Sequence, residues 1–171
     1  MNIRPYTDQD AHDVYWLHEH AFDGKDEADL VQAIHDDGAA ILSQVSEEDG
    51  KVIGHILFSP LDILPAPVEP KKIAALAPMA VLPGFQRKGA GESLVRQSLD
   101  RLRDGGWDAV VVLGHPQYYP RFGFRPASGY GLAFPTEVPD EAFMALALRD
   151  GGLDGCAGEL IYHKAFNLGG P

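Results

Sequence analysis

The segment Gln86-Arg87-Lys88-Gly89-Ala90-Gly91 combines two cations with two glycines directly before a stretch of helical period. A glycine-rich turn entering a helix leaves several backbone N–H groups without intrahelical acceptors, and the helix dipole adds positive potential at the same end. Such an end suits a phosphate or pyrophosphate. Gly89 and Gly91 let the backbone approach oxygen atoms closely, and Arg87 and Lys88 add charge. Spacing excludes two phosphate loops. No Gly-Lys-Ser/Thr occurs, as Walker A requires. Gly89-x-Gly91 is followed by Glu92-Ser93-Leu94 and preceded by hairpin strands, unlike the dinucleotide fingerprint.

Other reactive side chains are scattered. His18, His20, His55 and His115, with Glu19, qualify as proton acceptors by residue type, because imidazole titrates near neutrality. No spacing selects one of them. Cys156, in Gly155-Cys156-Ala157-Gly158, has no basic helper beside it and reads as structural rather than nucleophilic. A single cysteine excludes an internal disulfide and a paired-cysteine zinc site. No metal is expected.

The elements that position these groups follow from patterning. Asn2–Tyr6 alternates as a strand, and Thr7-x-x-Asp10 is a helix-start signal with Asp in the Glu position of a capping box. Val14, Leu17, His18 and Ala21 share one helical face. Asp26 or Asp29 caps a second helix carrying Leu30, Val31 and Ile34, ended by Gly38. Ala40–Ser46 and Val52–Ser59 read as strands joined at Asp49-Gly50, residues that both tolerate positive φ. A proline-rich surface loop is expected from Pro60 to Pro70, then a strand over Lys72–Leu82. Gly89–Leu102 is an amphipathic helix with Leu94, Val95, Ser98, Leu99 and Leu102 inward. Ala109–Leu113 is a buried strand, Tyr118–Phe124 forms one or two helical turns, and Tyr130–Phe134 and Glu159–Phe166 are the final strands. The order β-α-α-β-β-β-α-β-α-β-β predicts an α/β domain with a mixed sheet and helices on its faces.

The chain of 171 residues has the length of one domain, so residues 1–171 are expected to form one. Its net charge of -11 argues against nucleic acid and anionic membranes as partners. The charge is uneven: Lys71 to Arg125 holds 9 Lys/Arg against 4 acids. The basic middle coincides with the expected anion site; an acidic surface elsewhere also serves solubility. No apolar run spans a bilayer, and Met1–Pro5 lacks the character of a signal peptide, so a cytoplasmic location is expected.

Gln86-x-x-Gly89-x-Gly91 resembles the Gln/Arg-x-x-Gly-x-Gly/Ala motif of the GNAT superfamily of N-acetyltransferases. The context is similar as well: a preceding strand Leu76-Ala77-Pro78-Met79-Ala80-Val81-Leu82-Pro83, a following amphipathic helix, and Tyr119-Pro120-Arg121-Phe122-Gly123-Phe124, which resembles the Tyr-x-x-x-Gly-Phe signature. With the later Val138-Pro139-Asp140-Glu141-Ala142-Phe143, the chain looks like a bacterial subgroup of predicted acetyltransferases. Gly114-His115-Pro116 departs from the Gly-Asp-Pro expected there.

The resemblance implies a GNAT fold, with a mostly antiparallel twisted sheet that splays at the acetyl-CoA strand. It implies that the CoA pyrophosphate lies on the backbone from Arg87 through Glu92 (Arg87, Lys88, Gly89, Ala90, Gly91, Glu92), with Gln86 opening the motif, and that the pantetheine arm pairs with Met79, Ala80 and Val81 as an added strand. Pro78 suits such a strand because it removes a ladder donor. The resemblance gives Tyr119 the role of acid to the leaving thiolate; Tyr118 is the neighbouring competitor and reads as packing. The implied activity is direct acetyl transfer from acetyl-CoA to a primary amine of a small molecule or peptide in a ternary complex. A non-catalytic acyl-CoA sensor or scaffold is the alternative, and a protein N-terminal acetyltransferase a third. The family's acceptor region maps onto acidic segments (Asp23, Asp26, Glu27, Asp29, Asp36 and Asp37, then Glu137, Asp140 and Glu141), which favours a cationic amine. A monomer or homodimer is expected.

Overall fold

The structure is a computed structural model describing residues 1–168. It divides into two compact units: Met1–Ser59 with Ala77–Asp100, and Pro60–Leu76 with the chain from Arg101 onward.

In the first unit β1 (Asn2–Pro5) leads into α1 (Ala11–Ala21), α2 (Asp26–Asp36), β2 (Leu42–Glu48) and the first part of β3 (Lys51–Leu64). The last part of β4 (Ile73–Val81) and most of α3 (Ala90–Asp104) complete it. β1 pairs antiparallel with β2, and β2 antiparallel with β3. Asp49 and Gly50 turn that hairpin with φ of 51° and 77°, as their sequence required. The Asp10 carboxylate accepts from the Thr7 N–H at 2.8 Å, the reciprocal half of the capping box. It also takes a two-pronged ion pair from Arg4 at 2.8 and 2.9 Å, tying β1 to the start of α1. Adjacent residues on β3 show where the helices lie. His55 hydrogen-bonds His18 of α1, whereas a Cβ on neighbouring Gly54 would meet Leu94 of α3 at 3.1 Å. Alternate strand residues face opposite sides, so α1 and α3 cover opposite faces. The inward residues of α3 are those its periodicity indicated, and Ser98 is among them because Gln44 Nε2 donates to its hydroxyl at 2.9 Å.

In the second unit Ile73–Ala75 of β4 run parallel to Ala109–Val111 of β5 (Ala109–Leu113). β5 pairs antiparallel along its length with β8 (Phe143–Ala147), which also holds the two-residue β6 (Arg125–Pro126). β9 (Gly158–Ile161) pairs antiparallel with Asp62–Leu64 of β3 and parallel with β7 (Leu132–Ala133). Ile73, Val111, Phe143, Ala145, Cys156 and Leu160 belong to the core of this unit. The sheet is mixed and mostly antiparallel, with helices on both faces, as expected.

Three local expectations change. Pro60–Leu64 is not loop but the continuation of β3, with Leu61 and Ile63 buried and Asp62 and Leu64 exposed. Pro60 falls between the ladder with β2, ending at Phe58, and that with β9, beginning at Asp62, where its missing N–H breaks neither. β8 was not anticipated: Phe-Met-Ala-Leu-Ala has no β-branched residue and no alternation, because its first three residues are buried. The final strands are shorter than expected. Ala127–Tyr130 is a 3-10 turn before the two-residue β7, and β9 stops at Ile161 before a 3-10 turn at Lys164–Phe166.

Candidate active site

Pro83–Phe85 form a 3-10 turn after β4 and Gln86 returns to extended backbone. Arg87 then takes φ 62° and Gly89 φ 91°, which wraps the chain into the first turn of α3. The left-handed value is ordinary for glycine but costs an arginine about 1 kcal/mol. The first backbone bond of α3 runs from Ser93 N–H to Gly89 O at 3.0 Å. The N–H groups just before it are the donors that a helix start leaves open. Gln86, Arg87, Lys88 and Gly89 are exposed, Gly91 and Glu92 half-buried, and Ala90 buried beneath the turn.

Gln86 does more than open the motif: its Nε2 donates to the Val81 carbonyl at 3.0 Å, fastening the turn to the end of β4. The Phe85 ring collects cations, with Lys88 Nζ at 5.9 Å and Lys51 Nζ at 5.6 Å from its centroid. Lys51 opens β3 and lies 35 residues before Gln86, the first residue of the motif, so linear spacing gave no reason to include it.

Burial along β4 changes at one point. Ile73 to Leu76 are all buried; from Ala77 on, Ala77, Met79 and Val81 are half-buried while Pro78 and Ala80 stay buried. One face of the strand is thus uncovered from Ala77 onward. The parallel ladder with β5 has ended at Ala75, three residues before Pro78. Met79, Ala80 and Val81 therefore lie on the partly open stretch that continues into the motif.

Tyr119 belongs to the second unit, in a 3-10 turn at Tyr119–Phe122 closed by Gly123 at φ 99°. Only 7% of it is exposed. Its ring meets Tyr118 and Phe124 edge-on, with centroids 5.1 and 5.7 Å away. A Cβ on Gly114 would lie 2.5 Å from Tyr119 Cε2, so the absent side chain at 114 is what admits the ring. Burial, with a smaller effect from Tyr118, pushes the phenol well above its usual range. Tyr119 is a protonated hydrogen-bond donor throughout neutral pH.

Of the proton-acceptor candidates, His18 and His55 come together: His18 Nε2 lies 2.8 Å from His55 Nδ1, and both are buried. Burial lowers His18 to about 4 and holds His55 well below 6.5. His20 faces outward, with Nδ1 bonded to Trp16 O at 2.8 Å. His115 is exposed on the loop after β5, and Glu19 is half-buried on α1. Cys156 is buried, its thiol bonded to Asp154 O and pushed up by burial, which makes it a core residue. Among the described residues no group of His, Cys, Asp and Glu is arranged to hold a metal ion, and no helix is long and apolar enough to cross a membrane.

A family model described as an acetyltransferase (GNAT) domain matches residues 2–127. The chain belongs to the GNAT acetyltransferase family. Uncharacterized N-acetyltransferase YhbS of Escherichia coli K12 is 36% identical over 168 residues, 98% of this chain and 99% of that protein. The crystal structure of Escherichia coli YhbS in complex with CoA superposes with a TM-score of 0.91 at 35% identity, covering 99% of this chain and 93% of that one. A GNAT acetyltransferase from Brucella melitensis in complex with acetyl-CoA gives a TM-score of 0.81 at 36% identity, covering 96% and 97%. The GNAT resemblance carried by Gln86–Gly91 and Tyr119–Phe124 is thereby established for the chain as an acetyltransferase.

Proposed function

We propose that this GNAT enzyme transfers the acetyl group of acetyl-CoA directly to a primary amine of a small molecule or peptide within a ternary complex. The observation that carries the reading is the Arg87–Glu92 turn. Positive φ at Arg87 and Gly89 leads the chain into a helix start whose first amides lack intrahelical acceptors, and Lys51 and Lys88 stand against the neighbouring Phe85 ring. Pyrophosphate is the group that such a turn accepts. Similar proteins in complex with CoA and acetyl-CoA support the same ligand here.

The roles follow from the chemistry. Backbone from Arg87 to Glu92 binds the pyrophosphate, and Gln86 holds that turn against β4. Met79, Ala80 and Val81 offer the partly open strand to the pantetheine arm. The amine nitrogen forms the new N–C bond as the C–S bond breaks. Tyr119 donates its hydroxyl hydrogen to the departing sulfur; its raised pKa makes it a hydrogen-bonding stabiliser first and a proton source only once the thiolate charge develops beside it. Cys156 is buried and protonated, so no acyl-cysteine intervenes. Asp23, Asp26, Asp29 and Asp36 are exposed around α2 and its approach, which favours a cationic acceptor.

The test is CoA release over a panel of polyamines, aminoglycosides, amino acids and peptides, with initial rates measured while both substrates vary. Intersecting double-reciprocal lines and a preference for cationic amines are expected. Parallel lines would remove direct transfer. Tight acetyl-CoA binding without turnover of any amine would instead make the chain a binding module.

A further inference from the structure

The first residue of β3, Lys51, stands directly across the hairpin from Glu48 of β2. Opposite charges in that cross-strand position attract one another. Among the described residues no ion pair joins them, and Lys51 Nζ turns instead to the Phe85 ring, 5.6 Å from its centroid. Lys88 Nζ reaches the same ring from the glycine turn, at 5.9 Å. Both lysines are exposed and Phe85 is half-buried. Two ammonium groups from separate segments thus share one ring, and among the described residues neither has a carboxylate within ion-pair distance. The chain holds 25 acids against 14 Lys/Arg, so acids are the commoner neighbour. Cations gathered without one are open to an anion from outside the chain.

Arg87 adds a third cation to the same place. It is exposed and holds φ 62°, a conformation that glycine adopts without strain. What the position gains from arginine is the guanidinium, whose planar fork matches phosphate oxygens. The acid that follows the turn, Glu92, is engaged along its own helix with Arg96 at 3.4 Å.

The ligand's charges decide what these cations are for. CoA, which the similar proteins from Escherichia coli and Brucella melitensis hold free or acetylated, carries a pyrophosphate and a separate phosphate monoester on its ribose 3′ oxygen. A monoester bears roughly 1.5–2 negative charges at neutral pH. A helix start offers about half an elementary charge, and its backbone donors are assigned above to the pyrophosphate. The monoester has to be met by side chains. A cation over an exposed aromatic face is held weakly, and a hydrogen bond to an ionised phosphate is stronger. Both ammonium groups can therefore leave the ring for phosphate oxygens.

We propose, resting on the acetyl-CoA reading above, that Lys51, Arg87 and Lys88 form a second anion site beside the glycine turn, which takes the ribose 3′-phosphate of CoA and distinguishes CoA thioesters from their 3′-dephospho forms. Phe85 keeps two flexible lysine stems next to the turn, which lessens the ordering they undergo on binding. No bond forms or breaks at this site. It acts on the choice of cofactor, whereas the backbone from Arg87 to Glu92 acts on the pyrophosphate that both forms share.

The test measures the Kd of CoA and of 3′-dephospho-CoA by calorimetry, with the full chain at one low ionic strength. Wild type should bind CoA about 30-fold more tightly, about threefold for each of three exposed charges. In the double variant Lys51→Gln/Lys88→Gln the Kd of CoA should rise about tenfold. That of 3′-dephospho-CoA should change less than about twofold, so the preference falls to about threefold. Lys51→Arg with Lys88→Arg keeps both charges and should keep the preference. Added salt should erode the wild-type preference. Equal affinity of wild type for the two ligands, or an equal loss of both in the double variant, overturns the proposal with the acetyl-transfer reading intact. Failure of wild type to bind either ligand removes that reading, and the 3′-phosphate site with it.

Discussion

Gly114→Ala tests the placement of Tyr119 without touching its hydroxyl. Gly114 has no left-handed φ, so the backbone accepts alanine; the conflict is purely lateral. The new Cβ would lie 2.5 Å from Tyr119 Cε2 and 3.1 Å from Cδ2. Ordinary carbon contacts are about 3.5 Å, so the ring must retreat by about 1 Å, and Tyr118 and Phe124 stand against its edges and faces. Overpacking of this kind costs about 1–3 kcal/mol, a fall in Tm of roughly 2–12 °C for a chain of this size. Misplacing a catalytic group by about 1 Å costs on the order of 100-fold in rate. Steady-state kcat for the best amine should fall by that factor, while the Kd of acetyl-CoA, measured by calorimetry, changes less than about twofold. Tyr119→Phe should produce a loss of similar size. The decisive comparison is the double variant: if Gly114→Ala acts by moving the hydroxyl, it should cost almost nothing further once the hydroxyl is gone. Full additivity of the two losses, or wild-type kcat in Gly114→Ala, would refute the assignment of Tyr119 to the reacting sulfur.

Other perturbations probe the cofactor turn and the electrostatics of the first unit. Lys51→Ala should weaken acetyl-CoA binding by about three- to fivefold at low salt, as expected for an exposed charge, and the difference should shrink with added salt in a fluorescence titration. Burial depresses His18 to about 4 and holds His55 well below 6.5. Below about pH 6.5 the unfolded chain therefore binds protons that the fold refuses. Stability should decline from about pH 6.5 toward 4, by up to about 1.4 kcal/mol per pH unit per histidine, and urea midpoints of His18→Leu should show a shallower decline. The Arg4 hydrogen bonds, with help from Thr7 and against burial, hold Asp10 below the usual carboxylate value. Its contribution is present above about pH 3.9 and lost as pH falls through the depressed value. Asp10→Asn should cost about 2 kcal/mol at neutral pH and flatten that part of the acid-denaturation curve.

The features legible in the sequence were those built from near neighbours. The helix-start turn at Gln86–Glu92, the hairpin turn at Asp49-Gly50 and the inward face of α3 depend on residues a few positions apart, and their local chemistry admits one main conformation. The GNAT motifs were legible for the same reason. Elements whose identity depends on distant partners were not. Phe143–Ala147 becomes a strand because β5 supplies its ladder, and Pro60–Leu64 remains strand because β9 does. Lys51 comes against Phe85 beside the glycine turn, and Ser43 meets both His35 and His55, because folding places separate segments side by side. The sequence by itself determined the glycine turn that opens α3, the family and the order of most elements, since backbone conformation and periodicity are local properties. Tertiary structure alone decided which histidines meet and how far burial lifts Tyr119, because solvent exclusion and side-chain partners arise only when distant segments pack together.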